Sequence, residues 1–274
     1  MTNSRDWQGE VGRKWAEEWR RTDRSFSGLT DRLLGVASAG RVHRVLDVGC
    51  GAGELSLAMG RGHAGAEVVG IDISKPLLDV ARERGSHLFN VSFELADSSC
   101  WLREAWAPDL IVSRHGVMFY DDPVDAFAHL RAIAAREGRL VFSCFRSREE
   151  NIWADKIASL LPANAIAPTE PHAPGPFAFA DVDYVTDILT AAGWASIAHE
   201  AVDFAYVAGT GEDPVADALS YFLAIGPAAA AARDLPDSDK AAFIAKLRRF
   251  IENHRHSDMV MMRGAAWIFT ARAH

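Results

Sequence analysis

Three aspartates near the ends of predicted strands have the clearest potential chemistry in this sequence. Asp47, Asp72 and Asp97 stand 25 residues apart, as expected of successive strand–helix units. A carboxylate at the end of the second strand is well suited to accept two hydrogen bonds from a ribose diol. Glycines follow the first aspartate at alternate positions: Gly49, Gly51 and Gly53. Because glycine lets the backbone turn tightly and approach a ligand closely, this combination predicts a nucleoside-binding site.

The residues around the glycine turn indicate which kind of nucleoside is bound. A dinucleotide-binding turn has a third glycine where this chain has Glu54. The acidic Asp47 precedes the turn, where it would repel a phosphate at the helix N-terminus and hold a cation. A nucleoside with a positive sulfonium and an ammonium group therefore fits better than NAD.

The elements that position these residues alternate between strand and helix. Strands are predicted at 45–48, 68–72, 91–95, 109–113, 138–144, 196–204 and 265–271. Helices are predicted between them, at 54–60, 74–85, 123–135 and 181–192. This alternation requires a largely parallel sheet with helices on both faces. The sequence thus predicts an α/β, Rossmann-like fold with a seven-stranded, mostly parallel sheet.

Segments outside this alternation predict additional parts. Residues 1–40 are predicted as an N-terminal helical flap, in which a helix over 7–21 either packs on the core, the favoured interpretation, or covers a ligand. The nucleoside-binding domain is placed at 41–204 and 263–274, with a proline-rich loop over 146–180. Residues 205–262 are too long for a simple connection and are predicted to form a helical cap insertion.

The segment Val45–Gly53 resembles motif I of class I S-adenosylmethionine-dependent methyltransferases. Residues 113–123 and 138–142 are similar to fourth- and fifth-strand segments of the UbiE-like subgroup (methyltransferase types 11 and 25). Residues 173–177, 192–194 and 266–272 are similar to later segments of a bacterial branch of that subgroup. The resemblance covers most of the chain and implies S-adenosyl-L-methionine as the cofactor. It also implies that Asp72 binds the ribose and Asp97 the adenine amino group.

The cofactor supplies an activated methyl group, so the protein mainly positions an acceptor in line with it. The predicted cofactor-binding residues are Asp47, Gly49, Gly51, Gly53, Asp72, Ile73, Asp97, Ser98 and Arg114. Arg114 could hold the cofactor's carboxylate or a substrate anion. The candidate catalytic residues are His115 and Tyr120. His115 could contact the cofactor, pack in the core or act as a general base, in that order of preference, whereas Tyr120 is favoured as a ring that lines the pocket.

The predicted acceptor is a small molecule, and five residues are predicted to bind it: Trp15, Trp19, Arg146, Trp153 and His172. Two of them have plain alternatives, because Trp153 could be a core residue and His172 a solvated loop residue. A carboxyl, phenolate or carbon nucleophile needs no catalytic base at pH 7, whereas a hydroxyl would need one.

The amino-acid composition indicates which binding partners and which cellular compartment to expect. A net charge of −8 and a pI near 5.7 argue against a nucleic-acid partner. Three widely spaced cysteines predict a reduced, cytoplasmic protein without a zinc site. The histidines lack the paired spacing that metal ligands have, so no metal site is predicted from them. The apolar runs are too short to span a membrane. Helices in 205–262 could instead pair two subunits into a homodimer.

Three functional hypotheses follow from the sequence. The leading one is an S-adenosylmethionine-dependent methyltransferase with a small-molecule acceptor. The second is an NAD(P)-dependent oxidoreductase built on the same strand–turn–helix unit, which Glu54 and Asp47 disfavour. The third is a cofactor-binding protein that does not transfer a methyl group, since no unmistakable catalytic base is present.

Overall fold

The computed structural model describes residues 4–162, 165 and 170–274. Its strands are β1 (Arg44–Val48), β2 (Glu67–Asp72), β3 (Val91–Leu95), β4 (Leu110–Arg114), β5 (Arg139–Phe145), β6 (Ala195–Thr210), β7 (Arg255–His256) and β8 (Met259–Arg272). They form one sheet in the order β3-β2-β1-β4-β5-β8-β6, and the short β7 pairs with β8. The first five strands are parallel, while β8 is antiparallel to β5 and β6. The predicted α/β fold with a mostly parallel sheet is confirmed.

The strand order creates the place where a ligand can bind. The chain proceeds from β1 to β2 and β3 on one side, and from β4 to β5 on the other. The connections that follow β1 and β4 therefore diverge, leaving a crevice at the carboxyl ends of the strands. The predicted strand-end acids and the residues after β4 all lie at this edge.

Helices cover both faces of the sheet and bury its apolar side chains. Across the described residues they are α1 (Ser4–Gln8), α2 (Glu10–Glu17), α3 (Trp19–Ser25), α4 (Ser27–Ala37), α5 (Glu54–Gly62), α6 (Lys75–Gly85), α7 (Pro123–Ile133), α8 (Ile152–Ser159), α9 (Val182–Ala191), α10 (Pro214–Ala224), α11 (Pro227–Arg233) and α12 (Asp237–Glu252). Several begin at a side-chain cap: Asp122 accepts a hydrogen bond from the backbone of α7, and Asp181 does so for α9. Part of the predicted proline-rich loop, 163–164 and 166–169, lies outside the described residues.

The last two long strands extend beyond the rest of the sheet as a two-stranded ribbon. β6 ends at Thr210, six residues later than predicted, and β8 begins at Met259, six residues earlier. Phe204, Tyr206 and Ala208 are buried at alternate positions of the extended part of β6, the period-two pattern of a strand. The helical insertion therefore begins after the ribbon has already left the sheet.

The N-terminal segment is a set of short helices, whereas one helix was predicted over 7–21. The helices break at Gly9 and at Glu18, so α3 can turn toward the ribbon. Arg24 of α3 donates to the carbonyl of Ala208 at 2.7 Å and pairs with Asp217 of α10 at 2.9 Å. We call α3 and α10 the roof, because together they cover the crevice from above.

Among the residues that the structure describes, no helix combines the length and the apolar character needed to cross a bilayer.

Candidate active site

The glycine turn after β1 has a backbone that only glycine adopts easily. Gly49, Gly51 and Gly53 have φ angles of +64°, +54° and +84°, in the left-handed region. Gly49 also packs against Gly116 in the turn after β4, where a Cβ on Gly49 would lie 2.8 Å from the Cα of Gly116. The two turns can therefore approach each other only as glycines. Between them they form the floor of a cavity at the crevice.

Asp72, at the end of β2, is fixed in place by the backbone. Its carboxylate accepts hydrogen bonds from the amides of Gly51 and Ser74, both at 2.8 Å. Burial raises the pKa of this carboxyl even though these bonds favour the charged form. Asp72 and the adjacent Ile73 both line the cavity. The carboxylate can accept further hydrogen bonds from a diol.

Asp47 lies at the back of the same cavity and is 1% exposed. The hydroxyl of Ser56 donates to it at 2.5 Å. Burial raises the pKa of Asp47 to about 6, and the positive charge of Arg114 partly opposes that rise. At neutral pH this site therefore holds an ionised carboxylate in a place where water can do little to solvate it, which favours a bound cation.

Asp97 and Ser98 follow β3 and line the far end of the cavity. The carboxylate of Asp97 accepts from the amide and hydroxyl of Ser99, at 2.9 and 2.7 Å. The hydroxyl of Ser98 lies 2.8 Å from the phenol of Tyr120. Burial raises the pKa of that phenol far above its usual value, so Tyr120 stays a neutral ring in the cavity wall.

Two acids and two arginines connect the roof to the floor of the site. We call Asp23, Glu54, Arg84 and Arg114 the acid–arginine cluster. Asp23 of α3 lies 2.9 Å from Arg84 and 3.2 Å from Arg114, and Arg84 lies 2.7 Å from Glu54. The Arg84 guanidinium also sits 3.8 Å from the ring centre of Trp19, a favourable cation–π contact.

The pKa values of the two acids in this cluster shift in opposite directions. Burial raises the pKa of Asp23 to about 6, against the pull of Arg114. Burial also opposes ionisation of Glu54, but hydrogen bonds with Asp23 and Arg84 hold the pKa of Glu54 below its usual value. Arg114 is further occupied by Thr30, to whose hydroxyl it donates at 2.8 Å. Thr30 and Asp23 thus each take one hydrogen bond from this guanidinium, which leaves other N–H groups of Arg114 for a ligand.

The other half of the cavity is lined by aromatic rings. We call Phe26, Phe145, Trp153, Tyr206 and Phe222 the aromatic compartment; all five line the cavity. His115 lies against it, stacked on the ring of Phe145 with the centres 4.0 Å apart. Burial, reinforced by the adjacent Arg114, lowers the pKa of His115 to about 3, so this imidazole is neutral at pH 7.

Most of the predicted site residues come together at this cavity. Those that line it are Asp47, Gly49, Gly51, Asp72, Ile73, Asp97, Ser98, Arg114, His115, Tyr120, Trp15, Trp19 and Trp153. Gly53 instead packs below the turn, where a Cβ would lie 3.0 Å from the ring of Phe93. Its contribution is to the path of the backbone.

Two predicted acceptor-binding residues have their side chains engaged elsewhere. Arg146 pairs with Glu150 and Asp203 and stacks on Trp267 at 5.1 Å. Its neighbour Phe145 points into the cavity, and successive side chains of a strand face opposite sides. His172 stacks on Tyr184 with the ring centres 3.7 Å apart. Neither Arg146 nor His172 is among the residues that line the cavity.

Other lining residues escaped the sequence analysis. They include Thr22, Asp23, Phe26, Tyr206, Tyr221, Phe222 and Ile225. The clearest available signal was the aromatic pattern of Tyr206, Tyr221 and Phe222 within the predicted cap. Asp23 had no local signal, because its arginine partners are far away in the sequence.

Comparison with known proteins supports a single family. A family model described as a methyltransferase domain matches residues 18–198. The chain is 31% identical over 145 residues to trans-aconitate 2-methyltransferase of Variovorax paradoxus, covering 53% of this chain and 52% of that protein. It is 33% identical over 99 residues to demethylmenaquinone methyltransferase of Thermus thermophilus, covering 36% and 45%. The chain thus spans about half the length of these curated relatives.

The fold is shared with solved structures. One is phosphoethanolamine N-methyltransferase 2 of Haemonchus contortus in complex with S-adenosyl-L-methionine, with a TM-score of 0.59 and 14% identity, covering 100% of this chain and 60% of that chain. A likeness at this identity shows the architecture alone.

Proposed function

Because this chain belongs to the methyltransferase domain family, we propose that it transfers a methyl group from S-adenosyl-L-methionine to a small-molecule acceptor. The family match confirms the resemblance to class I methyltransferases. The observation that carries the proposal is the buried Asp47 carboxylate, which shares one cavity with Asp72 and Asp97. Together they offer anionic partners to a cation, a ribose diol and an amino group.

The residues fit the cofactor part by part. Asp72 would accept from the ribose hydroxyls, and Asp97 from the adenine amino group. The turn at Gly49 and Gly51 leaves room for a ligand close to the backbone. Asp47 would balance the positive methionine end, while Arg114 would hold the carboxylate. When bound, the cofactor supplies an activated methyl group, so the protein acts chiefly by binding and orienting the two reactants.

We also propose roles for the N-terminal flap and the helical insertion. The flap over 1–40 and the insertion over 205–262 would act together to exclude water from the reaction, because α3 and α10 are joined through Asp217. A cytoplasmic location and the lack of a nucleic-acid partner rest on composition. Homodimerisation through the insertion stays a prediction, which light scattering on the purified protein measures.

Calorimetry with S-adenosylhomocysteine tests cofactor binding. We expect the wild type to bind and the Asp72→Asn variant to bind about 30-fold more weakly, since charge-assisted hydrogen bonds to the ribose are weakened. Asp79→Asn is the matched control, because Asp79 is exposed on α6 and pairs with Lys75 and Arg82 of the same helix. No binding by the wild type, or equal binding by Asp72→Asn, would refute the proposed site.

The affinity for S-adenosylmethionine should fall in acid. Asp47 has a raised pKa of about 6, so its carboxylate is charged above pH 6 and neutral below it. A cationic ligand binds the charged form better, and we expect about a tenfold loss of affinity between pH 7.5 and pH 5. Calorimetry at both values measures it. In an Asp47→Asn variant the affinity should depend much less on pH. An equally steep dependence would mean that a group other than Asp47 titrates.

Two further assays address the alternative functions. Transfer of a labelled methyl group to any acceptor excludes a protein that binds the cofactor without transfer. Quenching or enhancement of NADH fluorescence on mixing would favour an oxidoreductase, for which the relatives described above give no support.

A further inference from the structure

Asp23 brings a negative charge from the roof to the cavity. It belongs to α3, and its side chain lines the cavity and is 14% exposed. Its Oδ1 accepts a hydrogen bond from Arg114 at 3.2 Å, and its Oδ2 lies 2.9 Å from Arg84. A carboxylate oxygen accepts more than one hydrogen bond, so the two arginines do not exhaust this group. Burial raises the pKa of Asp23 to about 6, and the carboxylate is therefore charged at pH 7.5.

Arg114 determines which part of the cofactor lies beside Asp23. It is the only lysine or arginine among the described residues that line the cavity, and the proposed function assigns it to the cofactor's carboxylate. In the methionine part of the cofactor, the carboxylate and the ammonium group are bonded to the same carbon atom. A carboxylate held by Arg114 therefore brings the ammonium group close to the acid that pairs with Arg114. That acid is Asp23.

The other acids of the cavity are less suited to the ammonium group. Asp72 and Asp97 follow β2 and β3, where the proposed function assigns them to the ribose and the adenine. Asp47 lies close enough to Arg114 for the arginine's charge to affect its pKa, but the whole residue is 1% exposed. The side chain of Asp23 is the more exposed of the two acids near Arg114. It is therefore the better partner for a group with three N–H donors.

The charges of the protein and of the cofactor also match at this end of the cavity. The acid–arginine cluster has two acids and two arginines and is neutral as a unit. The carboxylate of Asp47 adds a negative charge beside Arg114. The methionine part of the cofactor has a sulfonium, an ammonium group and one carboxylate, so its net charge is positive. This complementarity favours binding, because charges taken out of water need partners of opposite sign.

We propose that Asp23 is the counter-charge for the ammonium group of the cofactor, so that the methionine part of the cofactor joins the roof to the floor of the site. This rests on the proposed function, whose cofactor it presupposes. Asp23 is thereby a cofactor-binding residue that the N-terminal flap supplies. It follows that the ammonium group stabilises the closed roof, because it connects α3 to a ligand seated on the glycine turn.

Three adenosine ligands test the proposal by calorimetry at pH 7.5. S-adenosylhomocysteine has both groups, 5′-S-(3-carboxypropyl)-5′-thioadenosine lacks only the ammonium group, and 5′-S-(3-aminopropyl)-5′-thioadenosine lacks only the carboxylate. For the wild type, we expect loss of the ammonium group to weaken binding about 30-fold, as a charge-assisted hydrogen bond would. Loss of the carboxylate should also weaken binding, and that effect reports on Arg114.

The Asp23→Asn variant identifies the partner of the ammonium group. In this variant the loss of affinity on removing the ammonium group should fall to about threefold, while the loss on removing the carboxylate persists. Asp217→Asn is the matched control, because Asp217 of α10 holds α3 through Arg21 and Arg24 and does not line the cavity. It loosens the roof with Asp23 intact, so the ammonium effect should stay at about tenfold or more. If Asp23 only held the roof, Asp23→Asn would behave like this control.

Limited proteolysis gives a second readout on the wild type alone. At saturating concentrations, S-adenosylhomocysteine should slow cleavage of the N-terminal segment about fivefold more than the ligand without the ammonium group does. Equal protection by the two ligands would contradict the proposed link between the ammonium group and the roof.

Three calorimetric outcomes would overturn the role of Asp23. They are an ammonium effect below about threefold in the wild type, an unchanged effect in Asp23→Asn, and an effect that disappears in Asp47→Asn but persists in Asp23→Asn. The last would assign the ammonium group to Asp47. Failure of the wild type to bind S-adenosylhomocysteine at all would refute the proposed function itself, whereas binding without an ammonium effect refutes only the role of Asp23.

Discussion

The Asp47→Asn variant is expected to be more stable than the wild type without cofactor and to bind the cofactor about 100-fold more weakly. Asp47 ionises in a buried place, where its pKa rises from 3.8 to about 6. The folded protein holds the proton of Asp47 more tightly than the unfolded chain does, whose carboxyl has a pKa of 3.8. The resulting contribution to stability is fully present below about pH 3.8 and is lost as the pH rises through the folded-state pKa of about 6. At pH 7.5 the charge therefore destabilises the fold by roughly 3 kcal/mol.

Asparagine removes the charge but introduces an amide group that also needs a partner. We therefore expect a net gain of about 1–2 kcal/mol, or a melting temperature about 3 °C higher. The affinity falls because the cation loses its buried counter-charge. Differential scanning fluorimetry and calorimetry measure the two effects.

The same variant carries its own internal check. Below about pH 5 the wild-type carboxyl is protonated as well, so the stability gap between the two proteins should narrow. Asp79→Asn, which removes an exposed carboxylate from α6, should change neither quantity. A lower melting temperature combined with unchanged affinity would show that Asp47 serves the fold and not the ligand.

The second large effect is expected from Asp23→Ala. Without Asp23, Arg84 keeps its ion pair with Glu54 at 2.7 Å, whereas Arg114 loses its ion pair and keeps its hydrogen bond to the hydroxyl of Thr30. Breaking one side of a buried ion pair costs about 3–5 kcal/mol. We expect α3 to detach from the site, so that the N-terminal segment is cleaved faster in limited proteolysis and cofactor affinity falls about tenfold.

Glu17→Ala is the matched control for the N-terminal segment. Glu17 is exposed on α2 and pairs with Arg13 and Lys14 on its own helix, so its loss should alter neither proteolysis nor binding. Proteolysis of Asp23→Ala at the wild-type rate would mean that packing, and not the acid–arginine cluster, holds the roof.

The floor of the site could be predicted from sequence because its residues lie close together in the chain. Asp47, the alternating glycines and Asp72 belong to one strand–turn–helix–strand unit, in which each residue type has a geometric reason at its position. Asp97 follows by the same spacing. Backbone conformation and short-range pattern were sufficient there.

The roof could not be predicted in the same way. Asp23 and Arg114 are 91 residues apart, and no short-range pattern announces their contact. The alternation of Phe204, Tyr206 and Ala208 could have extended β6, but the helical segments that follow dominated the interpretation. Arg146 was placed by its nearness to β5 in sequence, whereas the strand's period of two turns it away from the cavity.

The bond between α3 and α10 also bears on the order in which the molecule is assembled. Arg21 reaches Asp217 across 196 residues, so this part of the roof cannot close until the chain has been synthesised well past the whole parallel sheet. Contacts of such long range form late and slowly, and domains emerge from the ribosome N-terminal part first. During synthesis α3 can therefore pair with Arg84 and Arg114 first, and it is joined to α10 only after that helix has been made.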